Sequence, residues 1–438
     1  MAECAPATVP PVAAAKRFVP PAAGRACCRR GVSVFSVIPW LICVLRHLRL
    51  PPANVKRKIC VVVTARPSYS RIRSALHAIA AHPDLELQLV VAASALLDRY
   101  GAAIQAIEHD GFTIAHRVYM VLEGENLVKS AKSTGIGLSE LATVFDNLKP
   151  DAVITIADRY ETLATAVAAS YMNIPVVHVQ GGEVTGSIDE KVRHAVTKLS
   201  NLHLVSTAGA RERVIRLGEV PATVVVTGCP SIDIAADVCA NPALDFDPFE
   251  KYGGVGDRAD LSNGFLVVMQ HPVTTEYEEA RSQVTETLYA IRDMGLPVLW
   301  FWPNVDAGSD GTSKGIRMFR EHERVEHFHL FRNMYPEDFL KLVNRSSCIV
   351  GNSSVAIREC SFLGVPAVNV GTRQQGRERG PNVLDVGHDR AEIQHAIQQH
   401  MRTGRSPGDH LYGDGKAGAR IADCVATVPL TIEKRLTY

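Results

Sequence analysis

The stretch HVQGGEVTGSIDEKVRHAVTKLS, His178 to Ser200, sets Glu183, Asp189 and Glu190 close to Arg193 and His194. Asp189 and Arg193 stand at i, i+4, one helical turn apart, where a carboxylate and a guanidinium can hold one another. Carboxylates fixed beside cations are the groups that move protons or meet an anion. Gly181 and Gly182 let the backbone turn sharply and approach a ligand, and Gln180 precedes them. Part of the charge has a plainer reading, because Ser187 and Glu190 carry the S-x-x-E spacing of a capping box. A second stretch, CIVGNSSVAIRECSFLG from Cys348 to Gly364, reads as a strand, a tight Gly-Asn-Ser-Ser turn and a helix starting at the serines. That arrangement either caps the helix or aims N–H groups and the hydroxyls of Ser353 and Ser354 at an anion. Glu359, about one and a half turns on, is placed to accept hydrogen bonds from a ribose.

Positioning such groups takes a scaffold, and from Lys56 onward short β-branched runs alternate with helical stretches. KICVVVTA (58–65), LELQLVVAAS, DAVITIA (151–157) and IPVVHV (174–179) read as strands, with SRIRSALHAIAAH and ETLATAVAASYM as helices. A second series runs through GFLVVMQH (264–271), GLPVLWFWP (295–303), SSCIVG (346–351) and GVPAVNVG (364–371). Strands apolar throughout, alternating with helices, predict parallel sheets built from βαβ units. The fold class is therefore α/β, with two Rossmann-like doubly wound domains facing a cleft. Residues 56–241 form the first, residues 242–438 the second with a C-terminal helix, and 242–264 the linker region. In such sheets ligands bind where strands end. Six strand ends carry polar groups: Arg66; Asp158 and Arg159; Gln180 and Glu183; His271; Asn304 and Asp306; Asn352, Ser353 and Ser354. Singly, Asp158 reads as a cap, Arg66 as a surface charge and His271 as a core histidine; together they mark a ligand-binding edge.

Composition narrows the partners. Lys and Arg total 47 against 46 Asp and Glu, a net charge of +1, which gives no electrostatic case for nucleic acid. The ten cysteines form no C-x-x-C pair, and Cys60, Cys348 and Cys360 sit in apolar runs, as reduced thiols of a cytoplasmic protein do. No metal-ligand spacing occurs, so neither a metal nor another cofactor is expected. Residues 1–55 include Pro/Ala-rich sequence and an apolar run broken by Pro39, too short for a membrane span of about 20 residues. They are read as a disordered extension, with no membrane partner expected. The G-x-G-x-x-G of Gly413 to Gly418 follows no strand and is discounted as a dinucleotide fingerprint. Arg317 and Arg320, at i, i+3, read as a solvated basic face.

HVQGGEVTGSIDEKVRHAVTKLS, ADRYET, MQHPVTT, WPNVDAGS, GNSSVAIRE, VGTRQQGRERGPNVL and YGDGKA together resemble the hydrolysing UDP-N-acetylglucosamine 2-epimerases of sialic and legionaminic acid biosynthesis. The resemblance spans about Lys56 to Ala419. It implies a glycosyltransferase-B fold, a UDP-sugar substrate and a homo-oligomer, dimer or tetramer. It implies elimination of UDP to a glycal, then hydration to N-acetylmannosamine. By resemblance, Asp158 and Asp189 transfer protons. Arg66, His271, Ser353 and Ser354 hold the diphosphate, Glu359 contacts the ribose, and Arg159, Arg193, Asn304 and Arg373 complete the substrate and nucleotide contacts. Some members have Glu where this chain has Gln180, and a carboxamide cannot act as a base. Glu183 or Asp189 then covers the proton transfer, or Gln180 positions the acetamido group. The same chemistry on a 2,4-diacetamido sugar, and non-hydrolysing epimerisation, are the alternatives.

Overall fold

In the first half, β1 (Arg57–Val63) reads RKICVVV, and its side chains divide between two cores. Ile59, Val61 and Val63 face one cluster; Cys60 and Val62 face another. Both faces of the strand are thus covered by helices, which is why the apolar run is continuous instead of alternating. The computed structural model describes residues 55–97, 103–122, 127–156, 159–185, 188–303, 308–323 and 325–437. The expected N-terminal extension up to residue 54, and with it the apolar run, lies outside them, as do Asp158, Ser187, Asn304 and Asp306.

Around β1 are β2 (Leu85–Ala92), β3 (Ile114–Val118), β4 (Ala152–Ile156), β5 (Val176–Val179), β6 (Leu202–Val205) and β7 (Val224–Val226). Their order in the sheet is β3-β2-β1-β4-β5-β6-β7, every pairing parallel. The second sheet holds β8 (Leu266–Met269), β9 (Val298–Phe301), β10 (Phe328–Phe331), β11 (Cys348–Gly351), β12 (Ala367–Val370) and β13 (Val383–Val386). Its order, β10-β9-β8-β11-β12-β13, repeats the scheme. The strand order reverses beside β1 in one sheet and beside β8 in the other, and the crevice at such a switch point is where ligands sit.

Two helices pack away from the sheet nearest them in sequence. Pro230–Ala240 inserts Ile234, Ala235 and Val238 into the core of the second sheet. Ala417–Thr427 returns to the first, where Ile421, Ala422 and Val425 join the cluster of β1 and β2. Asp233 ties the exchange together, accepting from Ala417 N at 2.9 Å, Gly418 N at 2.7 Å and Ser74 Oγ at 2.8 Å. The segment 242–264 is more than a linker. It carries the helix Pro248–Tyr252, capped by Asp247, and an antiparallel bridge from Val255 to Leu330. Among the described residues no helix is long and apolar enough to cross a membrane.

Candidate active site

The carboxyl ends of β1, β8, β11 and β12 open on one cavity of about 310 Å³ between the sheets. Arg66, Arg71, His271, Ser353, Ser354 and Arg373 supply its polar lining. Met269, Phe301, Met334, Tyr335 and Phe339 supply an apolar side. A cavity lined by cations, hydroxyls and aromatic rings suits an amphipathic, anionic ligand.

Each polar group is placed by its element. Arg66 opens the short helix Arg66–Ser70 directly after β1 and reaches across the cleft, Nη1 donating to Arg332 O at 3.2 Å and Asn333 Oδ1 at 2.9 Å. Burial pulls its guanidinium down to about 10. His271 is fixed through its backbone: its N–H donates to Asn352 Oδ1 and its carbonyl accepts from Asn352 Nδ2, both at 2.8 Å. Arg373 Nη1 in turn donates to Asn352 O at 3.2 Å. The turn bearing Ser353 and Ser354 requires Gly351, whose φ of +128° and close approach to Met269 O leave no room for a Cβ.

The expected helix starting at the serines takes a different form. Ser354–Ala356 is a single 3-10 turn capped by Ser353, and regular helix begins only at Glu359 and ends at Leu363, before left-handed Gly364. Ser354 Oγ instead accepts from two guanidinia, Arg71 Nη2 at 3.0 Å and Arg358 Nη2 at 2.7 Å. Burial first, then the charges of Arg358 and Arg377, bring Arg71 down to about 9.

Behind Ser354 lies a buried cluster of opposite charges. Gln180 and Gly182 adopt φ of +67° and +73°, turning the chain after β5 so that Glu183 points inward. Glu183 Oε1 accepts from Ser206 Oγ at 3.0 Å, while Oε2 faces Arg377 Nη2 at 3.3 Å and Arg358 Nη1 at 3.4 Å. Burial alone would raise this carboxyl. The guanidinia of Arg358, Arg377 and Arg71 and the Ser206 hydroxyl outweigh it and hold Glu183 below the usual carboxylate range. Gln180 is buried beside it, Nε2 donating to Cys229 Sγ at 2.9 Å and Oε1 accepting from Arg358 Nη1 at 3.4 Å. Arg193 donates to Glu183 O at 2.7 Å and Glu190 Oε2 at 2.6 Å. Glu190 also accepts from Thr185 N at 2.8 Å, bracing the start of the helix Ile188–Leu199 whose first turn carries Asp189.

Of the sequence-derived candidates, Arg66, His271, Ser353, Ser354 and Arg373 line the cavity, and Gln180, Glu183 and Arg193 form the cluster behind it. Glu359 is buried at the start of its helix, Oε2 without a hydrogen-bond partner among the described residues. Arg159 forks onto buried Glu161, at 3.2 and 3.3 Å. Sequence reading missed Arg71, Arg358 and Arg377. Each stands within a few residues of a candidate, in PSYSRIR, SSVAIRE and RQQGRERG, and that proximity was the available signal.

Comparison with known proteins agrees with this architecture. A family model described as UDP-N-acetylglucosamine 2-epimerase matches residues 77–426. The chain is 31% identical over 375 residues to the UDP-N,N'-diacetylbacillosamine 2-epimerase (hydrolyzing) of Legionella pneumophila, covering 85% of this chain and 97% of that one. It is 29% identical over 361 residues to the UDP-N-acetylglucosamine 2-epimerase of Neisseria meningitidis, covering 82% and 92%. Among solved structures, the UDP-GlcNAc 2-epimerase from Neisseria meningitidis bound to UDP-GlcNAc superposes with a TM-score of 0.69 at 17% identity, over 84% of this chain and 99% of that one. The Methanocaldococcus jannaschii enzyme in complex with UDP-GlcNAc and UDP gives the same TM-score, identity and coverage. These likenesses show the two-domain, glycosyltransferase-B-like fold. With the family model matching residues 77–426, the chain belongs to the UDP-N-acetylglucosamine 2-epimerase family.

Proposed function

We propose that this chain is a hydrolysing 2-epimerase that converts UDP-N-acetylglucosamine and water into N-acetylmannosamine and UDP. One observation carries the reading: guanidinia and hydroxyls from both halves, Arg66 and Arg71 with Ser353, Ser354 and Arg373, line one cavity together with aromatic side chains. A nucleoside diphosphate offers both an anion for the cations and hydroxyls and a flat base for the rings.

The chemistry runs in two steps. A carboxylate takes the C2 proton of the hexose; its electron pair forms the C1=C2 bond, and the C1–O bond breaks with its pair going to UDP. The cations and hydroxyls stabilise the charge gathering on the departing diphosphate. Water then adds, hydroxide at C1 and a proton at C2 from the opposite face, so that the configuration at C2 is inverted. We assign the proton transfers to Asp158 and Asp189. Gln180 cannot take part as a base, and it is assigned to orienting the acetamido group from its buried place between Cys229 and Arg358. Glu359 is assigned to the ribose, with Asn304, Arg159 and Arg193 as supporting contacts. The same reading takes the enzyme as a homo-oligomer and as cytoplasmic, the latter supported by buried free thiols such as Cys60, Cys348 and Cys360.

A second reading is favoured by the names of two relatives. The Legionella pneumophila and Campylobacter jejuni proteins, 31% and 30% identical, are both named hydrolysing UDP-N,N'-diacetylbacillosamine 2-epimerases, the latter also GDP-linked. Proton NMR of the protein with UDP-N-acetylglucosamine in deuterated water separates the readings. The proposal expects UDP and free N-acetylmannosamine with deuterium at C2. Turnover of only the 2,4-diacetamido analogue moves the substrate, and a deuterated UDP-N-acetylmannosamine equilibrium makes the enzyme non-hydrolysing.

A further inference from the structure

Glu183 belongs to the first half of the molecule, and both guanidinia facing its Oε2 belong to the second: Arg377 at 3.3 Å and Arg358 at 3.4 Å. All three side chains are at least nine-tenths buried, so their charges act through a poorly screening medium. Arg358 faces two ways. One edge meets Glu183, while Nη2 donates at 2.7 Å to Ser354 Oγ, which lines the cavity and accepts from Arg71 as well. Arg358 and Arg377 thus face one carboxylate, Arg71 meets Arg358 at Ser354 Oγ, and Arg193 is held on the Glu183 backbone carbonyl. Buried Arg358 Nε and Arg377 Nη1 have no hydrogen-bond partner among the described residues. The cluster carries more positive charge, and more donors, than Glu183 can satisfy.

We infer that Glu183 is a positioning residue, the resident counter-ion that fixes Arg358 and Arg377 across the cleft and competes with the substrate's diphosphate for their charge. The inference rests on the cavity being the seat of UDP. Without Glu183, the uncompensated charge of Arg358 and Arg377 would reach the cavity through Arg71 and Ser354 in its wall and hold a diphosphate there more tightly than turnover tolerates, because the product UDP carries the same group as the substrate. The carboxylate therefore sets how readily UDP leaves. This differs from a role as base, for which a carboxylate so paired with guanidinia is poorly suited.

Calorimetric titration of UDP into the full chain, its Glu183→Gln variant and its Glu183→Asp variant tests this, alongside steady-state kinetics. Loss of one buried negative charge beside the arginines should tighten UDP by about tenfold in Glu183→Gln while kcat falls. Glu183→Asp, which keeps the charge but withdraws it by one methylene, should fall between. A lower kcat with UDP affinity unchanged would identify Glu183 as a base and overturn the inference. Weaker UDP binding by a folded variant would show a structural role and overturn it too. Should circular dichroism show Glu183→Gln unfolded, Glu183→Asp decides alone: tighter binding supports the inference, equal or weaker binding removes it. If the unaltered protein binds no UDP, the nucleotide-site reading fails, and the inference with it.

Discussion

At the scale of single residues the site divides into groups that face the cavity and groups that hold them. If Asp189 and Asp158 carry the proposed proton transfers, Asp189→Asn and Asp158→Asn should each lower kcat by about 10²- to 10⁴-fold with UDP affinity little changed. UDP-release assays paired with calorimetry check this, and a variant that loses UDP binding instead would place its carboxylate among the nucleotide contacts. Arg71→Met is expected to act oppositely. It removes a cation lining the cavity and bound to Ser354, and should weaken UDP binding by about tenfold or more in the same titration. The strand-end polar residues were legible in the sequence because a parallel sheet delivers its strand ends to one edge. Arg358 and Arg377 were not, because long side chains from a short helix and a loop reach their partner only through the tertiary fold.

At the scale of elements, the strands that sequence reading recognised are mostly buried runs rich in β-branched residues, although β5 (VVHV) and β12 (AVNV) each carry one polar residue. The ones it passed over are interrupted or short. β6 reads LHLV and β10 reads FHLF, yet His203 and His329 are buried within them. The histidines are satisfied locally, His203 Nε2 with Glu219 Oε2 at 3.1 Å and His329 with the carbonyls of Gly253 and Asp257 at 2.8 and 3.1 Å. β3 is an exposed edge and β7 only three residues long. One element-scale prediction concerns the turn after β11. Gly351→Ala would place a Cβ about 2.2 Å from Met269 O at a backbone angle that side chains rarely adopt. A loss of about 2 kcal/mol or more is expected in denaturant unfolding, together with weaker UDP binding as Ser353 and Ser354 shift.

Across the whole molecule, two ties bind distant parts of the chain. Asp233 joins the helices Pro230–Ala240 and Ala417–Thr427 to Ser74, and Asp233→Ala should destabilise the protein by about 3 kcal/mol in denaturant unfolding, since three donors lose their acceptor. The second tie is Glu219, which receives Lys198 at 2.7 Å, His203 at 3.1 Å and Lys434 of the C-terminal segment. Burial opposes its charge, but hydrogen bonds from His203, Lys198 and Lys434 prevail and bring it down to about 2. A carboxyl lowered from 4.5 contributes stability that is complete above that value and is lost as pH falls towards 2. Burial lowers His203 as well, which works in the same direction, since protonating it in acid disfavours the folded form. Denaturant unfolding should therefore show stability falling as pH is lowered from 6 to 3, and falling less in Glu219→Gln; an equal fall in both would remove Glu219 as the cause.

The exchange of helices between the halves also sets the order of assembly. The core of the first sheet is completed by Ile421, Ala422 and Val425, which leave the ribosome after the whole second sheet. Synthesis therefore runs ahead of folding: the core of the first sheet keeps part of its apolar face bare until residues 417–427 have been made. A nascent chain stalled between the two sheets lacks the three side chains that close the first core.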